Sequence, residues 1–173
     1  LSYASYSVYS HNLFQGKQLM KRGELQEART HFEKALESER LPEAFAFAAT
    51  TSYKLNDMKT AETYMLEAEK LNGRGVSNLR IAGYKALIYL KEGRSSEGMT
   101  ALQDYIALYS NLYPLTSIEE VKLMIKKNKV DQSRLETLLD EQITWYEDEI
   151  EQYEKTGTGF YDKTGIFRGD HRR

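Results

Sequence analysis

The sequence predicts an all-α fold: a solenoid of antiparallel helix pairs, then C-terminal capping helices and an irregular tail. Three observations point there. Apolar residues recur at helical spacing in segments about a dozen residues long. Short breaks containing Gly, Asn or Asp separate those segments, which marks tight turns between helices. Small residues return with a period in the thirties, the mark of stacked helix pairs.

The first unit is predicted over residues 9–41, the second over 42–74 and the third over 79–112. Ala28 and Ala61 stand 33 positions apart, and Gly98 follows 37 positions later, as though a few residues were inserted around 73–77. Gly16, Ala49 and Ala86 are small where the first helix of each pair presses on the second. Ala28, Ala61 and Gly98 are small on the facing side, and Phe32, Met65 and Leu102 are expected to fill the space between pairs. Gly23, Asn56 and Gly93 fall at the turns, where a left-handed backbone is least costly. Pro42 and Pro114 each follow a helical pattern that has run out, because proline lacks the amide hydrogen to continue one.

On these residues the chain resembles the tetratricopeptide repeat family over about residues 9–110. The first unit carries most of the family pattern in Gly16, Gly23, Ala28, Phe32, Ala35 and Leu36. The second has Ala49 for the usual glycine and Met65 for the aromatic, and the third has Tyr105 where a small residue is expected. The resemblance implies a right-handed superhelix whose first helices line a concave groove. Carried across position by position, it places Leu13, Lys17, Met20 and Lys21 in that groove. Ala46, Thr50, Tyr53 and Lys54 join them from the second unit, and Arg80, Gly83, Leu87, Leu90 and Lys91 from the third. Lys21, Lys54 and Lys91 recur at one repeat position. An apolar surface with such a basic rim suits a peptide or helix of another protein with acidic flanks. The carboxylate clamp of chaperone-binding members is not reproduced, because Leu13 and Lys17 stand where lysine and asparagine would be expected.

The remaining third predicts two capping helices, 116–127 and 131–155, closing a helical domain over 1–155. Thr116 and Glu119 have capping-box spacing for the first. The second keeps Leu135, Leu138, Leu139, Ile143, Tyr146, Ile150 and Tyr153 on one stripe. Its other face holds nine carboxylates against Arg134 and Lys155, a net −7 over residues 131–155. The expected role of that face is a solvated surface on a helix that caps the array, with an acidic docking surface as the alternative. The tail, 156–173, repeats Tyr-acid-Lys-Thr-Gly at Tyr153 and Tyr161, and its glycines rule out a stable helix. Phe160, Tyr161 and Phe167 are its candidate anchors.

The chemistry of catalysis is missing from the sequence, which predicts a non-enzyme needing no cofactor or metal. There is no cysteine, and His11, His31 and His171 show no ligand spacing. Gly73-Arg-Gly75 lacks the Lys-Ser/Thr of a phosphate loop. A net charge of −2 argues against general nucleic-acid binding. The expected function is a protein-binding scaffold or assembly factor. The alternative is a self-associating structural subunit that uses the acidic helix and the tail to form a homo-oligomer. The polar, uncharged run from Leu1 to Ser10 resembles the start of a mature exported protein, such as a bacterial lipoprotein held to a membrane by an N-terminal lipid. A domain cut from a longer cytoplasmic chain is the equal alternative.

Overall fold

The computed structural model describes residues 2–73, 75–110 and 117–157. Among these residues every regular element is a helix: α1 Tyr3–Lys21, α2 Leu25–Ser38, α3 Pro42–Lys54, α4 Met58–Asn72, α5 Asn78–Lys91, α6 Ser95–Ser110, α7 Ile118–Lys127 and α8 Gln132–Thr156. α1 packs on α2, α3 on α4 and α5 on α6, and each pair adjoins the next.

The three hairpin turns share one construction. Gly23, Asn56 and Gly93 take φ of 79°, 61° and 79°. At each turn the following amide reaches back five residues: Glu24 donates to the Leu19 carbonyl, Asp57 to Ser52 and Arg94 to Tyr89, each at 2.9 Å. These bonds satisfy carbonyls that the end of a helix would leave open. Asp57 also caps α4 by accepting from the Thr60 amide at 3.3 Å. Pro42 is the first residue of α3, where its missing amide hydrogen does no harm.

Close approach within the pairs rests on the small residues. A Cβ added at Gly16 would lie 2.4 Å from Cε1 of Phe32, and one at Gly98 would lie 2.6 Å from Cγ of Leu90. Ala28, Ala61 and Ala86 are fully buried, as are Phe32 and Leu102. Phe32 stacks on Phe47 of the next pair with centroids 5.5 Å apart, which joins the first two hairpins.

Four expectations need correction. α1 begins at Tyr3 rather than near residue 9, tied down by Ser5 Oγ donating to the Ser38 carbonyl at 2.9 Å and by buried Tyr9 accepting from the Ala44 amide at 3.3 Å. The N-cap of α7 is Ser117, with φ 68° and no side-chain capping bond, and Thr116 lies outside the described residues. Ala46 is buried with Phe45, Ala68 and Ile81 between the second and third pairs instead of facing a groove. The acidic face of α8 is only partly solvated: Glu136, Asp140 and Glu147 lean onto α3 and α5. Tyr105, the departure in the third unit, is fully buried and donates to Gln142 Oε1 at 2.9 Å. Pro114, Phe160, Tyr161 and Phe167 lie outside the described residues.

Candidate functional site

The first helices of the three pairs are neighbours in order, α1 beside α3 and α3 beside α5, and α8 packs on α5 and bonds to α3. Its apolar stripe drives this: Leu135, Leu138, Leu139, Ile143, Tyr146 and Ile150 are all buried, and α8 packs on α5. Room comes from Gly83, in mid-helix where glycine costs about 1 kcal/mol relative to alanine. A Cβ there would lie 2.9 Å from Ile143 Cδ1 and 3.2 Å from Tyr105 Cε1.

Polar contacts set the register of α8. Gln132 Nε2 donates to Tyr53 Oη at 2.8 Å and to the Leu87 carbonyl at 2.9 Å. Lys54 Nζ donates to Glu136 at 3.0 Å and to Asp140 at 2.7 Å, and Asp140 also accepts from the Tyr84 hydroxyl. Further along, Arg80 grips Glu147 through two parallel bonds of 2.9 and 2.8 Å, while its Nη1 donates to Thr50 Oγ1 at 2.9 Å. The Arg80 guanidinium lies 4.1 Å from the centroid of Phe47, so it is sandwiched as well as paired. The order Gln132, Asp140, Glu147 against Leu87, Tyr84, Arg80 shows that α8 runs antiparallel to α5.

Burial sets the protonation of this seam. It pushes the Tyr53 hydroxyl up to about 12 and that of Tyr84 well above its ordinary range. Burial pulls the Lys54 ammonium down, but its bonds to Asp140 and Glu136 outweigh it and the net shift is upward. Burial opposes the charge of Arg80 too, and Glu147 more than restores it. Lys54 and Arg80 therefore stay cationic over the neutral pH range.

The predicted groove residues divide into three groups. Thr50, Tyr53, Lys54, Arg80 and Leu87 lie on the seam with α8. Leu13, Lys17, Met20 and Lys21 are brought together at its open end. There α1, α3 and the last turns of α8 enclose a cleft of about 450 Å³. Lys91 is exposed and belongs to neither group. The cleft has a floor of Tyr9, Leu13, Phe47 and Ile150. Lys17 spans it to Glu43 and sits 4.9 Å from the Phe47 centroid. Tyr6 and Phe14 stand at the rim, 47% and 57% exposed. The opposite wall is acidic, formed by Asp148, Glu151 and Glu154 of α8.

Sequence reasoning missed Tyr84, Gln132, Asp140 and Glu147 as members of the seam, and the α8 wall of the cleft. Two signals pointed to them: a glycine inside an otherwise strong helix, and carboxylates at 136, 140 and 147, which fall on one edge of a helix. A smaller hollow of about 190 Å³ between α4, α5 and α6 is bridged by Lys85 and Glu69 at 2.8 Å. Among the described residues no group of three His, Cys, Asp or Glu could hold a metal ion, and no helix is long and apolar enough to cross a membrane. No protein-family model, curated protein or solved structure matches the chain.

Proposed function

We propose that the chain is a tetratricopeptide-like scaffold that binds a segment of another protein, and that the cleft between α1, α3 and α8 is where it binds. On this reading the three pairs form a right-handed superhelix with α1, α3 and α5 on its concave side, and the protein is not an enzyme. One observation carries the proposal. The face formed by α3 and α5 already holds an amphipathic helix, α8, by apolar burial plus charged anchors, the helix-in-groove mode of recognition. The same face continues onto α1, where a cleft lined by Tyr9, Leu13 and Phe47 carries exposed Tyr6 and Phe14 at its rim. The self-association reading draws less support, because Lys54, Tyr84 and Arg80 engage Glu136, Asp140 and Glu147 of the acidic face of α8 within the chain.

A photo-crosslinking residue placed at Phe14, with Leu123 of α7 as the remote control, tests the proposal in native extract. A protein captured at Phe14 and not at Leu123 should then bind the purified chain at least tenfold more weakly when Tyr6→Asp is introduced. Equal capture at both positions, or binding unchanged by Tyr6→Asp, refutes the assignment.

A further inference from the structure

Resting on the cleft being a protein-binding site, we infer that its occupant is a cationic amphipathic segment, with lysine or arginine along the edge that meets α8. This reverses the acidic-flanked ligand that the lysine row suggests.

The seam shows why. Residues 136, 140, 147, 151 and 154 fall on one edge of α8, since 100° per residue returns each to within a quarter turn of the first. The first three are answered from below: Glu136 and Asp140 by Lys54, Glu147 by Arg80. Arg80 is the third residue of α5, so α8 continues past the start of that helix. Glu151 and Glu154 run on over the cleft with no cation of α3 or α5 beneath them. Apart from Lys21, the acid-binding capacity of the groove is thus spent inside the chain, and its acidic edge is what remains on offer.

The charges lining the cleft agree. Lys17 pairs with Glu43 and Arg80 with Glu147. Glu151 pairs with Lys155, one turn further along α8. What is left is Lys21 on one wall against Asp148 and Glu154 on the other, all three exposed. Along α1 the cleft reaches from Tyr6 to Lys21, roughly 22 Å at 1.5 Å per residue, which is the length of a four-turn helix. A segment that lays apolar side chains on Tyr9, Leu13, Phe47 and Ile150, with a cationic edge toward Asp148 and Glu154, would repeat what α3 and α5 do along the rest of α8.

Two fluorescein-labelled amphipathic peptides of about 14 residues, alike in their leucine and phenylalanine positions, test the inference. One carries lysine at every polar position and the other glutamate. Anisotropy titration of the full chain in low salt should show the lysine peptide binding at least tenfold tighter. That preference should shrink as salt screens the wall, and should vanish in Asp148→Lys/Glu154→Lys, whose fold circular dichroism can verify. Equal affinities, or a preference for glutamate, overturn the charge assignment and leave the cleft as a binding site. A lysine preference that survives in the double variant puts the peptide elsewhere and overturns it as well. Binding of neither peptide at high micromolar concentration counts against the cleft itself.

Discussion

Glu147→Leu tests the seam where it is most dependent on one pair. The Arg80 side chain is only 4% exposed, and Glu147 takes two of its three bonds to neighbouring side chains. Removing the carboxylate leaves a guanidinium between Phe47 and α8 with Thr50 as its remaining acceptor. Breaking one side of a buried ion pair costs about 3–5 kcal/mol. Glu147 is itself 23% exposed, so water reaches the vacated corner and the lower end, about 3 kcal/mol, is expected. For a chain of this size that is a fall in Tm of roughly 6–12 °C. The double variant Arg80→Met/Glu147→Leu removes both charges and should recover to within about 1 kcal/mol of the parent. Urea unfolding followed by far-ultraviolet circular dichroism measures all three, with an unchanged m value required. The reasoning is refuted if Glu147→Leu costs less than about 1 kcal/mol, or if the double variant is no more stable than the single one.

Other positions give independent tests. Gly16→Ala forces a methyl to 2.4 Å from the Phe32 ring, which Phe47 holds from the other side; net of the helix propensity gained, thermal melts should show a loss of about 1–2 kcal/mol. Gly23→Ala should cost about 1 kcal/mol at a φ of 79°, whereas Asn56→Gly, relieving a φ of 61°, should gain a few tenths in the same melts. Alkali should unfold the protein early. Tyr53 titrates at about 12 and Tyr84 above its ordinary 10.0 in the folded chain, so the unfolded chain sheds protons from pH 10 that the folded one keeps. The stability tied to the Tyr53 hydroxyl is whole below pH 10 and is lost as the pH rises toward about 12, and that of Tyr84 is lost in the same direction. Lys54, its pKa raised above 10.5, adds a further loss at higher pH. Urea midpoints that match at pH 8 and pH 11 would contradict this.

The hairpins were legible because their determinants are local. A positive φ needs Gly or Asn at one position, and Gly23, Asn56 and Gly93 announce the three turns with no knowledge of tertiary structure. Gly16 was likewise readable as a point of close helix approach, though Phe32, assigned by spacing to the gap between pairs, also presses on it. The path of α8 was not. Its apolar stripe says that one face is buried but not which surface buries it, and the partners that decide lie 67 residues apart at Arg80 and Glu147 and 86 apart at Lys54 and Asp140. For the same reason the lysine row could not show that Lys54 takes its counter-charges, Glu136 and Asp140, from the same chain. Lys17, Met20 and Lys21 do meet at a cleft, but its acidic wall could be read only once α8 was placed.

The long reach of these bonds bears on how the protein is made. Hairpins that touch only their neighbours can form one after another as a polypeptide leaves the ribosome. Here α5 emerges with Arg80 awaiting a carboxylate that is still more than sixty residues from synthesis. Until α8 arrives, the nascent chain holds an unmatched cation beside bare apolar helices, and a helix made well after the three pairs completes their work.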